Sequence, residues 1–314
     1  MKIHQHIGVA GRFRVIKHRV DENGVEIPGS REDLGFPNLI TNSGLDELAG
    51  GGWITHVRIG TGSTPPSNGD TALVSQVAVS SSNASTNATS AGNGTWSAMT
   101  FTWVFAQGAV VGNIAELGAS TGAAASLFSR ALVVDGAGNP TTISVTAIDI
   151  LTVIYELRFY WDVSDKVQTV TINSVEYTMT SRMCQSSAQR VSGWRVFGHS
   201  GDTSQASTSP LTLVGGTPAL GPITGDLIGG TGAVRSSANP TLGAYTAGSY
   251  TRSQTWSIAT ADGNIAGGIR GWSMWEGNNR RSVPCQTIVT PAIPKDSTKT
   301  MTITVVYTWG RYTP

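Results

Sequence analysis

Thr152-Val153-Ile154-Tyr155-Glu156-Leu157-Arg158-Phe159-Tyr160-Trp161 is the stretch that decides the fold class. Successive side chains of a strand point to opposite faces of a sheet. Val153, Tyr155, Leu157, Phe159 and Trp161 therefore share one face, and Glu156 and Arg158 lie on the other. A fully buried Val, Leu or Phe contributes roughly 1.5–3 kcal/mol in transfer terms, so this face is expected to be core. A lysine at Leu157 would put an unpaired charge there and is expected to be among the most damaging single changes.

The chain closes on a second strand of the same kind. Met301, Ile303, Val305, Tyr307 and Trp309 occupy one face, with Thr302, Thr304, Val306 and Thr308 opposite. Thr152-Val153-Ile154-Tyr155 returns as Thr304-Val305-Val306-Tyr307, and Gly112-Asn113-Ile114-Ala115 as Gly263-Asn264-Ile265-Ala266, at offsets of 152 and 151. Two looser matches come earlier. Phe13-Arg14-Val15-Ile16-Lys17-His18 is echoed by Trp194-Arg195-Val196-Phe197-Gly198-His199, and Gly60-Thr61-Gly62 by Gly230-Thr231-Gly232 at an offset of 170. These distances exceed solenoid periods of roughly 20–50 residues and point to domain duplication with insertions.

Working outward, apolar residues recur at period two in Met99, Phe101, Trp103 and Phe105, and again in Ile143, Val145 and Ala147. Residues 11–29 read as a hairpin turning at Asn23-Gly24, with Val25 and Ile27 on its return strand. A second hairpin turns at Asn173-Ser174, between 168–172 and 175–179, and opens the second copy. The one helix candidate is 40–49: Ser43 is the expected cap, Asp46 the reciprocal residue, Leu45 and Leu48 the buried pair, and Gly50-Gly51-Gly52 the stop. Residues 80–95, rich in Ser, Asn, Ala, Thr and Gly, read as a long surface loop. The fold expected is all-β: two tandem related β-sandwich or jelly-roll-like domains, 1–162 and 163–314, with one short helix near the N-terminus.

The 314 residues carry 21 basic and 20 acidic side chains for a formal charge of +1, and only 13% are charged. This balance lacks the dense basic surface that nucleic-acid binding uses. It also removes the long-range repulsion that keeps copies apart, which leaves room for oligomerisation. No apolar run approaches the roughly 20 residues of a membrane-spanning helix, and residues 1–20 lack a secretory pattern. Cys184 and Cys285 permit one disulfide, though two buried thiols are the favoured reading.

Reactive constellations are absent from the pattern. Gly60-Thr61-Gly62 lacks the Lys-Ser/Thr ending of a phosphate loop, the serines have no nucleophile elbow, and the acids Glu116, Asp135, Asp149, Glu156 and Asp262 are isolated. The chain is therefore expected to be non-enzymatic, without cofactor or catalytic residues. His4 and His6 point the same way on a strand, and three symmetry-related copies would bring six imidazoles together; terminal polar residues are the favoured reading. The candidate partner-binding residues are Trp272, Trp275, Arg280 and Arg281, where two indoles beside amide and guanidinium groups suit a protein or glycan interface. A bent strand with buried indoles is the favoured reading.

The series ITNSGLDELAG, VRIGTGSTPPSNGDTALVSQ, GNIAELG, LFSRALVVDGAGNPTTISV and TVIYELRFYW, spaced over residues 38–161, resembles tailed-bacteriophage virion proteins, especially tail-fibre or baseplate-associated ones. That resemblance implies a β-rich component of the virion tail or baseplate, commonly homotrimeric, contacting other tail proteins and presenting surfaces to a host protein or glycan. It also implies structural or assembly roles for Gly60, Gly62, Glu116, Ser129 and Arg130. The second half departs from it, with Gly267 where Glu116 stands and no Phe-Ser-Arg counterpart, which suits a divergent recognition domain. Capsid decoration or a collar protein, and an independent carbohydrate-binding module, are the alternative readings.

Overall fold

The computed structural model describes residues 1–50, 54–90, 95–184, 211–225, 227–236, 240–274 and 285–313. The first half contains β1 (Lys2–His18), β2 (Glu32–Pro37), β3 (Leu39–Ile40), α1 (Asn42–Gly50), β4 (His56–Gly60), β5 (Gln76–Ser80), β6 (Asn83–Ser90) and β7 (Trp96–Phe105). It continues with β8 (Gly112–Ile114), β9 (Glu116–Ser120), β10 (Leu127–Leu132), β11 (Ile143–Val145) and β12 (Ile150–Trp161). The second half contains β13 (Lys166–Ile172), β14 (Val175–Met183), β15 (Leu211–Ala219), β16 (Ile228–Ser236) and β17 (Thr241–Leu242). It ends with β18 (Thr251–Ile258), β19 (Ile269–Met274), β20 (Cys285–Ile293) and β21 (Met301–Arg311). The all-β class is shown, with one helix among the described residues.

One long sheet runs β17-β18-β21-β1-β12-β7-β6, with β2 also paired to β1. It takes strands from both sides of residue 163. β12 lies antiparallel to β1, from Ile7 opposite Trp161 to His18 opposite Ile150, while β21 lies parallel to it, from Lys2 opposite Thr304 to Val9 opposite Arg311. The two aromatic strands thus run in opposite directions on either side of β1. Their alternating faces are buried as the period-two pattern requires: Val153, Tyr155, Leu157 and Phe159 in β12, and Ile303, Val305, Tyr307 and Trp309 in β21.

Two further sheets and the small β11-β8 pair, with buried Ile114, Ile143 and Val145, supply the remaining core. Of the two further sheets, one has the order β3-β10-β9-β4-β5, the other β13-β14-β20-β19-β15-β16. If β13 is set aside, both follow the same permutation of chain order, so β3, β4, β5, β9 and β10 correspond in turn to β14, β15, β16, β19 and β20. The first sheet meets the long one where Trp103 Nε1 donates to Thr55 O at 3.3 Å. The second meets it where the buried Gln5 donates to Ser181 Oγ at 3.4 Å and to Cys285 Sγ. This correspondence alters one sequence match. Gly60 lies in β4, whose counterpart β15 contains Gly215, at an offset of 155; Gly230 and Gly232 lie in β16, the counterpart of β5.

Four local expectations are corrected. The hairpin from β1 returns through β2, with Phe13 opposite Phe36; only an isolated bridge joins Val20 and Glu26, and Val25 and Ile27 are exposed. The cap of α1 is Thr41, whose Oγ1 accepts from Gly44 N at 2.9 Å, because the helix starts one residue before Ser43. Residues 83–90 are an edge strand instead of a loop: β6 pairs with β7, which gives its polar, alternating chain a partner on one side. Ala147 is exposed beyond β11, which ends at Val145. The Asn173-Ser174 turn is as expected, both residues having positive φ between β13 and β14.

Asp46 and the end of α1 tie the halves together. Asp46 Oδ1 accepts from the Tyr245 hydroxyl and from Gly248 N at 2.7 Å. The helix carbonyls of Leu45 and Ala49 accept from Trp309 Nε1, at 2.8 Å, and from Arg252. The second of these satisfies a carbonyl that has no partner within the helix, since Ala49 lies among the last four residues of α1. Among the described residues no helix is long and apolar enough to cross a membrane.

Candidate functional site: a buried ion cluster beneath an exposed loop

β9 and β10 are buried at every position, yet each carries one charged residue, Glu116 and Arg130. A buried charge is tolerated only when paired and hydrogen-bonded. Here the two meet: Arg130 Nε donates to Glu116 Oε2 at 2.9 Å and Nη2 approaches the same oxygen at 2.8 Å. Glu116 Oε1 also accepts from Gly62 N at 3.1 Å and Ser75 N at 2.8 Å, and Oε2 from Val74 N at 3.2 Å. Arg130 turns its remaining donors to Asp70 Oδ2 at 2.7 Å and Thr64 O at 2.8 Å.

All of these partners except the two charged residues belong to the loop between β4 and β5. Its ends are clamped at 62 and 74–75, its middle at 64 and 70. Gly60 and Gly62 permit the approach, since a Cβ at either would lie 2.6 or 2.5 Å from Glu116 Oε1. Burial opposes ionisation of Asp70, but the Ser67 amide and the Arg130 guanidinium outweigh it and hold its carboxyl below the ordinary range. Asn68 O also accepts from Asn42 N at 2.8 Å, which joins the loop to the start of α1.

The loop itself faces solvent: Ser63, Thr64, Pro65, Ser67, Asn68 and Gly69 are exposed. Beside it, Val74, Val77 and Val79 are exposed by 57, 49 and 40%. β5 is the last strand of its sheet, so its outer backbone edge is unpaired there. A rigid polar loop beside a strand edge with exposed valines can bind a protein surface by main-chain pairing and apolar contact. The Glu116 carboxylate is saturated by donors and turned inward, so it is placed to hold the loop and not to meet a substrate.

The sequence-selected residues fall elsewhere. Trp272, in β19, is 0% exposed and its Nε1 has no acceptor among the described residues, which removes it from the partner-facing candidates and agrees with the favoured buried-indole reading: the β19 alternation turns it into the core. Trp275, Arg280 and Arg281 lie outside the described residues, as does the 194–199 echo. His4 and His6 are both exposed on the outer face of β1, and His6 Nδ1 is 2.9 Å from Thr308 Oγ1. Cys184 and Cys285 are buried and neither is in a disulfide, and burial pushes the Cys285 thiol up to about 12.

Asp70 was missed by the sequence reading, while Glu116 and Arg130 entered through the resemblance. A usable signal was present in the residues themselves. Glu116-Leu117-Gly118-Ala119 and Leu127-Phe128-Ser129-Arg130-Ala131-Leu132 each carry one charge in an otherwise apolar or small strand, and such charges need each other.

No protein-family model, curated protein or solved structure matches this chain. The loop clamp and its exposed rim therefore stand on their own geometry.

Proposed function

We propose that the chain is a non-enzymatic structural protein of a tailed-phage virion that docks onto another tail or baseplate protein through the 61–75 loop and β5. The observation that carries this reading is the buried Glu116–Arg130 pair, whose hydrogen bonds fix an exposed loop instead of facing a cavity. The resemblance to tail-fibre and baseplate-associated proteins rests on segments that form this sheet and its loop, including VRIGTGSTPPSNGD, GNIAELG and LFSRAL. A surface with few charges and a homotrimeric arrangement are compatible with the same role. Host attachment through the second half is part of the proposal, because that half departs from the resemblance, with Gly267 where Glu116 stands.

The test is incorporation into particles. Val77→Lys with Val79→Lys alters the exposed edge without touching the core, so the double variant is expected to fold and to be lost from assembled tails. Normal incorporation of the variant, or absence of the wild-type chain from particles, would overturn the proposal.

A further inference from the structure

A second feature lies on the outer face of the long sheet, where Trp96, Tyr160 and Tyr312 form an aromatic band. Tyr160 of β12 is paired with Trp96 of β7 and with Gly8 of β1. Tyr312, just past β21, is drawn over β1 by its N–H, which donates to Val9 O at 2.8 Å. The Tyr160 and Tyr312 rings are parallel within 4° with centroids 3.6 Å apart. Gly8 makes this possible, because a Cβ there would come within 2.8 Å of Tyr312 Cδ2. On the other side the guanidinium of Arg158 covers Trp96, 4.3 Å from the ring centre. Tyr312 nevertheless remains 39% exposed.

Beside the tyrosine pair is a groove of about 460 Å³ bordered by His6, Gly8, Tyr160, Asp162, Arg311 and Tyr312. Its size is within the range of small-molecule sites. Its lining carries one carboxylate and one guanidinium, those of Asp162 and Arg311, each also engaged elsewhere in the chain. Asp162 pairs with Lys166 at 2.6 Å, and Arg311 donates to Ile40 O and to Asn42 Oδ1. The groove therefore offers hydrogen bonds without a strong net charge: unused guanidinium donors, carboxylate lone pairs, and the His6 Nε2 left over when Nδ1 meets Thr308 Oγ1. A flat aromatic surface bordered by hydrogen-bonding groups whose charges, one acid and one guanidinium, balance matches a ligand with apolar C–H faces and a rim of hydroxyls.

We propose that this groove binds a neutral saccharide, with a pyranose ring lying against the Tyr160–Tyr312 pair and its hydroxyls directed to His6, Asp162 and Arg311. The site is separate from the 61–75 loop and does not depend on a role in assembly. The purified full chain is to be run through native gels containing dextran, mannan or galactan, with polygalacturonate and plain gel alongside. Retardation by at least one neutral polysaccharide is expected, with at least a ten-fold weaker dissociation constant for Tyr312→Ala at unchanged melting temperature. Gly8→Ala, which displaces the Tyr312 ring, is expected to weaken binding in the same gel and serves if Tyr312→Ala does not fold. Unchanged mobility in all three neutral gels, retardation by polygalacturonate alone, or wild-type binding by a folded variant would overturn the proposal. The assay needs no particle, so its outcome is independent of the incorporation test.

Discussion

β12 and β21 bury equivalent alternating faces, yet β12 meets β1 antiparallel and β21 meets it parallel. Strand order is mirrored about β1, with β12-β7-β6 on one side and β21-β18-β17 on the other. Mirrored order with reversed direction is what a two-fold axis through β1, normal to the sheet, produces. The strands on the two sides therefore share β1: residues 7–18 pair with β12, and residues 2–9 pair with β21. The same comparison separates the loops. Under Gly60 sits the carboxylate of Glu116, whereas a Cβ on Gly215 would meet Ile265 Cγ2 at 2.6 Å and Gly268 O at 3.1 Å. One half holds its loop with ions, and the other fills the same place with an apolar side chain and backbone.

The largest effect is expected from charging either aromatic strand. Leu157→Lys and Val305→Lys each bury an unpaired ammonium at a fully covered position and should each cost more than about 4 kcal/mol. Because both strands pair with β1, denaturant unfolding should show the whole chain lost in both variants; a folded remnant in either would break the shared-strand comparison.

Next comes the ion cluster. Glu116→Ala leaves Arg130 buried with its main counter-charge gone, at a cost of about 3–5 kcal/mol. Ile265→Ala removes only apolar contact and should cost about 2–3 kcal/mol. Equal losses in thermal unfolding would remove the distinction between a polar and an apolar loop anchor.

Acid should act first on the first half. Burial works against ionisation of Asp149, but the Thr146 hydroxyl and amide together with Arg19 prevail and bring its pKa down to about 2 from 3.8. A carboxyl lowered on folding contributes stability above its unfolded value that fades as pH falls through the folded one. Roughly 2 kcal/mol is expected to vanish between about pH 4 and 2, and Asp149→Asn should flatten that part of the stability–pH curve. An unchanged slope would contradict the assignment.

The smallest effect belongs to the joint at α1. Asp46→Ala removes the acceptor for Tyr245 and Gly248 and should cost about 1–2 kcal/mol. Hydrogen exchange is expected to quicken at Gly248 while Gly62, held by Glu116, stays protected; the reverse pattern would show that α1 does not anchor the second half.

Much of this was legible in the residues. Period two placed the buried faces of β7, β12 and β21, because a single large apolar face leaves a strand no choice of side. The Thr152/Thr304 match also falls on strands placed on either side of β1, whereas Gly112 lies in β8 and Gly263 in the connection between β18 and β19. The rest depended on partners distant in sequence. Val25 and Ile27 have strand-like residues but lose the pairing with β1 to Leu34 and Phe36, and alternation alone cannot decide between two candidate partners. Ser43 and Thr41 are equally good caps locally; Thr41 prevails because its hydroxyl also reaches Phe128 O, a contact with β10 across 87 residues. At Trp272 the favoured buried-indole reading and the structure agree: β19, paired between β15 and β20, carries the ring in the core.

Calorimetric unfolding of the full chain tests the shared strand most directly. One transition, with calorimetric and van't Hoff enthalpies equal, is predicted, because β1 cannot leave β12 without also leaving β21. Two resolved transitions, one moved by Glu116→Ala and the other by Ile265→Ala, would contradict it.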